Sequence, residues 1–207
     1  MTPSEVKQRI NDWLQSERIE IKDQPNETAI FQFLFRFPPN QTGHMFNVIN
    51  PNGRDLVAVG SGTRVDLGQQ NRMKECMTNE PQEWKDWLHN VRLELNRSGI
   101  DWSLHLGHNE DGFKRQGPLQ AFHVSEPTWF DGLSKNALMQ SLRKLWLAKL
   151  TVIHEIKNKF GPGVNKPGPV DDWEKQGKQN LQKRDEPTIQ GNEFEGFGSD
   201  FDPSDWV

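Results

Sequence analysis

At 207 residues the chain has the length of one domain with room for extra segments, and a 33% hydrophobic share means a small core or a portion that does not fold. A net charge of -4, one cysteine (Cys76) and no apolar run near the roughly 20 residues of a membrane span exclude an internal disulfide, a zinc site built on paired thiolates and a helical anchor. The N-terminus MTPSEVKQRINDW lacks the apolar stretch of a signal peptide, so the sequence reads as a cytoplasmic protein.

The first element is a helix. Thr2 is its N-cap, Pro3 suits the first helical position, and Glu5 completes a capping box. Val6, Ile10, Trp13 and Leu14 then form one apolar stripe. RIEIKD (18–23) alternates as a short strand, and Pro25 and Asn26 turn the chain. TAIFQFLFRF (28–37) places Phe31, Phe33, Phe35 and Phe37 on one face at period two, which predicts a strand packed under helices. HMFNVIN (44–50) and DLVAVG (55–60) read as a hairpin around NPNG, so antiparallel pairing is expected. The polar stretch 61–80 reads as a connector. Its glycine-rich start, GSGTRVDLG (60–68), lacks the ending of a phosphate loop and opens no obvious helix.

Pro81 opens a second helix with Trp84, Trp87, Leu88, Val91 and Leu95 on one face, and Gly99 closes it. The two tryptophans lie close around the helix, with one of them a candidate for exposure. IDWSLHLG (100–107) and PLQAFHVSE (118–126) are strands on either side of a loop, HNEDGFKRQG, whose acids do not match a calcium loop. Asp131 and Gly132 form a turn before Ser134 caps a long helix, roughly 40 Å to Phe160. Leu138, Leu142, Leu145, Trp146, Ile153, Ile156 and Phe160 mark its stripe, with Met139, Leu147, Leu150 and Val152 outside the strict row. A stripe that wide suits more than one sheet face or contact with a second chain. The element order predicts an α+β domain over residues 1–160, an antiparallel sheet of about five strands with three helices.

The character changes after Phe160. Residues 161–192 form a polar linker with Gly and Pro, too poor in apolar side chains to offset chain entropy, and are expected to be disordered. Residues 193–207, EFEGFGSDFDPSDWV, carry three Phe, one Trp, five acids and no base. From Gly161 onward ten acids face five bases, which leaves the body near neutral with 20 bases and 19 acids. A near-neutral body argues against a nucleic-acid surface.

The segments DWLQSERIEIKDQPNETAIFQFLFRFP, FNVINP, VAVGSGTRV, WLHNVRLELNRSGIDW and WFDGLSKNALMQSLRKLWLAKL give the chain a resemblance over residues 4 to 160. They resemble a conserved archaeal and bacterial family of unknown function whose fold is similar to that of type III secretion chaperones. The resemblance implies helix, three strands, helix, two strands, helix, a homodimer, and a sheet surface that receives an extended chain. It implies no catalytic residue, and nothing about the tail.

Three function classes follow. The first is a non-enzymatic protein-binding or adaptor module without cofactor. Its partner is another protein, and Phe194, Phe197, Phe201, Asp202, Asp205 and Trp206 act as a recruiting motif, aromatics as anchors and acids as steering charge, for a groove on that partner or on the chain's own body. The second is a metal protein or metal-dependent enzyme. His105 and His123, in the last two strands, would be the ligands, with His108 nearby, although two strand histidines are ordinarily surface residues. Cys76 with His89 would be a nucleophile pair only if something oriented it. The third is nucleic-acid binding through Arg64, Arg72, Lys114 and Arg115. Trp13, Trp84, Trp87, Trp102 and Trp146 lie on apolar faces and belong to the core, whereas Trp173 and Trp206 lie beyond it.

Overall fold

The computed structural model describes residues 1–40, 43–108 and 116–163. The aromatic tail, Trp173, Lys114 and Arg115 lie outside the described residues, so the expectations placed on them are not addressed by the fold.

Ten elements follow in chain order: α1 (Pro3–Ser16), β1 (Ile21–Asp23), β2 (Ala29–Phe37), β3 (His44–Pro51), β4 (Leu56–Arg64), α2 (Leu67–Asn79), α3 (Pro81–Arg97), β5 (Asp101–His108), β6 (Gln116–Trp129) and α4 (Lys135–Phe160). The six strands form one sheet in the order β1-β2-β3-β4-β6-β5, antiparallel throughout. The α+β class holds, with six strands and four helices among the described residues instead of five and three.

The helix ends follow local chemistry. Thr2 accepts from the Glu5 amide while Glu5 reaches back to the Thr2 amide, the reciprocal capping box. Ser134 accepts from Ala137 N and starts α4. Asp131 serves its own turn by accepting from Gly132 N. Gly99, at φ 61°, supplies the left-handed residue after α3.

The additional helix falls where the sequence predicted a connector. β4 runs on through GSGTR to Arg64, and Asp66 then caps α2 by accepting from Gly68 N. The helix escapes notice because its buried residues are only Gln69 and Met73. Its hold on the fold is polar and remote. Gln69 donates to Gly161 O at 2.8 Å, and Arg72 donates to Phe160 O at 2.5 Å, both across about 90 residues of sequence.

All four helices lie on one side of the sheet. Phe31, Phe33, Phe35, Phe46, Val48, Val57, Val59, Phe122 and Val124 face them and share one core with the buried rows of α1, α3 and α4. Trp84 and Trp87 are both buried, stacked at 5.2 Å, and Phe160 meets Trp87 edge-on at 4.8 Å. The expectation that one of that pair is exposed is therefore corrected: the end of α4 covers both. On α4 the buried row is Leu138, Leu142, Leu145, Lys149, Val152, Ile156 and Phe160, so Val152 lies inside the row. Trp146 and Ile153 pack at its flank.

Candidate functional site

The site is built around the middle of β4, where Gly60, Ser61 and Gly62 run between two polar groups on opposite faces. Strand alternation puts Ser61 and Thr63 toward the helices and Gly60 and Gly62 away from them.

On the helix side stands Lys149, fully buried in the apolar row of α4. Its ammonium donates to Ser61 Oγ at 2.7 Å and to Gly62 O at 3.1 Å, and lies 5.6 Å from the Phe46 ring centroid. Ser61 in turn donates to Met45 O at 2.6 Å, tying β4 to β3. A Ser and a Lys at this distance suggest a nucleophile and base, but both are sealed in the core, with Ser61 only 3% exposed. Placed there, the pair clamps α4 to the central strands.

On the other side lies His123. A Cβ on Gly60 would fall 3.1 Å from His123 Nε2 and 2.9 Å from Asn47 Oδ1, so the imidazole occupies space that only glycine leaves free. Burial pushes the His123 pKa down to about 4, with the charges of His105 and Lys149 adding to the shift. The ring is therefore neutral at physiological pH. Asp101, opposite Ser125 in the register, is raised by burial and by Glu126, against the pull of Lys144.

The register defines the whole face turned away from the helices. Arg36 pairs with Met45, Leu34 with both Lys22 and Asn47, and Gln32 with Ile49. Ile49 pairs with Ala58, Ala58 with Pro127, Leu56 with Trp129, and Gly62 with His123. Ile49, Leu56 and Ala58 form a small buried apolar cluster of their own. Trp129, opposite Leu56 on this face, is 56% exposed, and Ile30, in the β-bulge between Ala29 and Phe31, is 49% exposed. Among the described strand residues of this face, Lys22, Arg36 and Arg64 stand against one acid, Asp101, a positive excess.

The candidate residues separate on this map. His105 and His123 share the away face but are not direct partners: His105 pairs with Ala121, and His123 with Ser103. Among the described residues no three side chains of His, Cys, Asp and Glu come together to hold a metal. Cys76 sits half-buried on α2 with its thiol pushed up, mainly by burial, which disfavours the thiolate, while His89 is exposed on α3. Arg64 is exposed at the end of β4, and Arg72 is engaged with the end of α4.

Trp129 and Lys149 were not signalled by the sequence reading. Pro127 argues for ending the strand at Glu126, yet β6 continues to Trp129. Beyond Ser125 it pairs with β4 and no longer with β5, and a proline is tolerated where one strand edge is free. Lys149 shares its helix face with Leu142, Leu145 and Val152, but its partner lies 88 residues away and leaves no local signal.

The family described as "Uncharacterized conserved protein (DUF2299)" matches residues 6–156. The chain belongs to that family. The match runs from within α1 to one turn short of the end of α4 and stops before the linker and tail. A crystal structure of an uncharacterized protein from Methanothermobacter thermautotrophicus is similar at TM-score 0.63 and 28% identity, covering 75% of this chain and 99% of that one. YbjN from E. coli is similar at TM-score 0.37 and 10% identity, covering 70% of this chain and 89% of that one. No curated protein matches the chain. No helix among the described residues is long and apolar enough to cross a membrane.

Proposed function

We propose that the chain is a non-enzymatic protein-binding module whose docking surface is the sheet face turned away from the helices. The observation that carries this reading is exposed Trp129 set opposite buried Leu56, which forms one apolar cluster with Ile49 and Ala58 on this face. Large apolar side chains left exposed beside a packed apolar patch mark an interaction surface. Trp129 is the type of residue that anchors such contacts.

The charge of the face selects the partner. Lys22, Arg36 and Arg64 outnumber Asp101, so the surface suits an acidic segment with apolar anchors. His123, neutral and set against Gly60, adds a flat hydrogen-bonding group without adding charge. An extended segment lying across strands matches the pleat, with alternate side chains reaching the patch.

The test compares binding to native partners by the whole chain and by Ile30→Asp and Trp129→Asp variants. The module reading expects both substitutions to lower binding at least tenfold with the fold intact. Unchanged binding overturns it. The metal reading is tested by elemental analysis of the purified protein: stoichiometric zinc or iron, lost in His105→Ala and His123→Ala, would replace the binding-module reading.

A further inference from the structure

The chain leaves the described fold at a defined place. Gly161 O accepts from Gln69, and Phe160 O and Pro162 O accept from Arg72. At Gly163 an added Cβ would lie 3.0 Å from Asp66 Cγ. Asp66 stands two residues past Arg64, the last residue of β4. The exit point is thus pinned at the end of a central strand, beside the basic residue that closes the away face.

Forty-four residues follow, 164 to 207. Twenty-nine residues, the number from 164 to 192, span roughly 30 Å at coil dimensions. A nine-residue strand such as β4 is about 30 Å long, so the final segment can reach any part of the face. Its composition fits what it would meet there. Residues 193–207 have five acids and no base, against Lys22, Arg36 and Arg64 facing one acid. They also have four aromatics, against Leu34, Met45 and Trp129.

We propose that the chain's own segment 193–207 docks on the away face, its aromatics on the apolar patch and its acids beside Arg36 and Arg64. This inference rests on the reading of that face as a docking surface and adds its regulation. Tethering makes the tail a ligand at high effective concentration, so an outside partner binds only by displacing it. Apparent affinity for that partner falls by the fraction of time the tail is bound.

The test uses the whole chain with p-benzoylphenylalanine in place of Phe201, irradiated as a mixture of isotopically light and heavy protein. Products are mapped by mass spectrometry. Docking in cis gives light–light and heavy–heavy products at Leu34, Met45 or Trp129. It also gives a roughly tenfold lower yield in Arg36→Glu/Arg64→Glu and an unchanged yield in Arg36→Lys/Arg64→Lys. Products on the helices, products joining light to heavy chains, or no product overturn it. The two levels fail separately. Absent tail products with partner binding still dependent on Trp129 remove the tail from the face and leave the docking surface. Tail products on the face with partner binding indifferent to Trp129 remove the outside partner.

Discussion

The Lys149 ammonium of α4 donates to Ser61 Oγ of β4 at 2.7 Å, joining residues 88 apart in the chain. It is a charged group held inside an otherwise apolar row, and its cost is offset by Ser61, the Gly62 carbonyl and the Phe46 face. Removing only one partner is therefore worse than removing both. Ser61→Ala is expected to destabilise by about 3 kcal/mol in the native chain and by about 1 kcal/mol in Lys149→Met. The remaining cost reflects the lost bond to Met45 O. Urea unfolding of the four variants measures the coupling, and equal costs in both backgrounds would show that the two side chains act independently.

His123 gives a pH dependence whose sign is fixed by its depressed pKa of about 4. Between about pH 6.5 and 4 the unfolded chain binds the proton and the folded chain does not, so acidification through this window removes stability. The loss is at most about 3 kcal/mol, and the partial exposure of the ring reduces it. Stability curves at pH 7, 5.5 and 4 should show this slope in the native chain and a flatter one in His123→Gln.

Gly60 and His123 compete for the same space. In Gly60→Ala the new methyl meets the ends of two side chains, Asn47 and His123, rather than backbone. The ring is expected to swing outward at a cost of about 1 kcal/mol, and its pKa to rise from about 4 toward the ordinary histidine value. An NMR titration of His123 reads this directly; an unshifted midpoint would mean that the strand moves instead.

Phe160 closes the core at the end of α4 against Trp84 and Trp87. Phe160→Ala should cost about 3–5 kcal/mol, whereas Leu147→Ala, 46% exposed on the same helix, should stay within about 0.5 kcal/mol. Thermal unfolding separates the two. A small effect at Phe160 would place the domain boundary earlier in the chain.

The sequence made local rules legible and left remote ones hidden. The Phe ladder of β2, the Thr2–Glu5 capping box and the Ser134 cap each follow from neighbours within a few residues, and each is where the pattern places it. The helix α2 failed that kind of reading because its anchors, Gln69 and Arg72, bond to residues about 90 positions on. The same limit applies to the site. His123 and His105 were visible as strand histidines. The His123 pKa is lowered first by burial, and the ring packs against Gly60 on a strand 63 residues earlier, which no local period reports. Trp129 was masked by Pro127, which reads as a strand end but lies where β6 keeps one edge free.

The central claim, that the away face is a docking surface, is tested most directly by binding to native partners with the fold held constant. Binding is compared among the native chain, Ile30→Asp/Trp129→Asp and Leu147→Asp, after circular dichroism and thermal unfolding confirm that all three are folded. Trp129 belongs to the face and Ile30 adjoins it at the β2 bulge, while Leu147 is a comparably exposed apolar residue on α4. The account predicts that the Ile30/Trp129 variant loses partner binding and the Leu147 variant retains it. Binding that survives in the Ile30/Trp129 variant, or fails equally in Leu147→Asp, would contradict it.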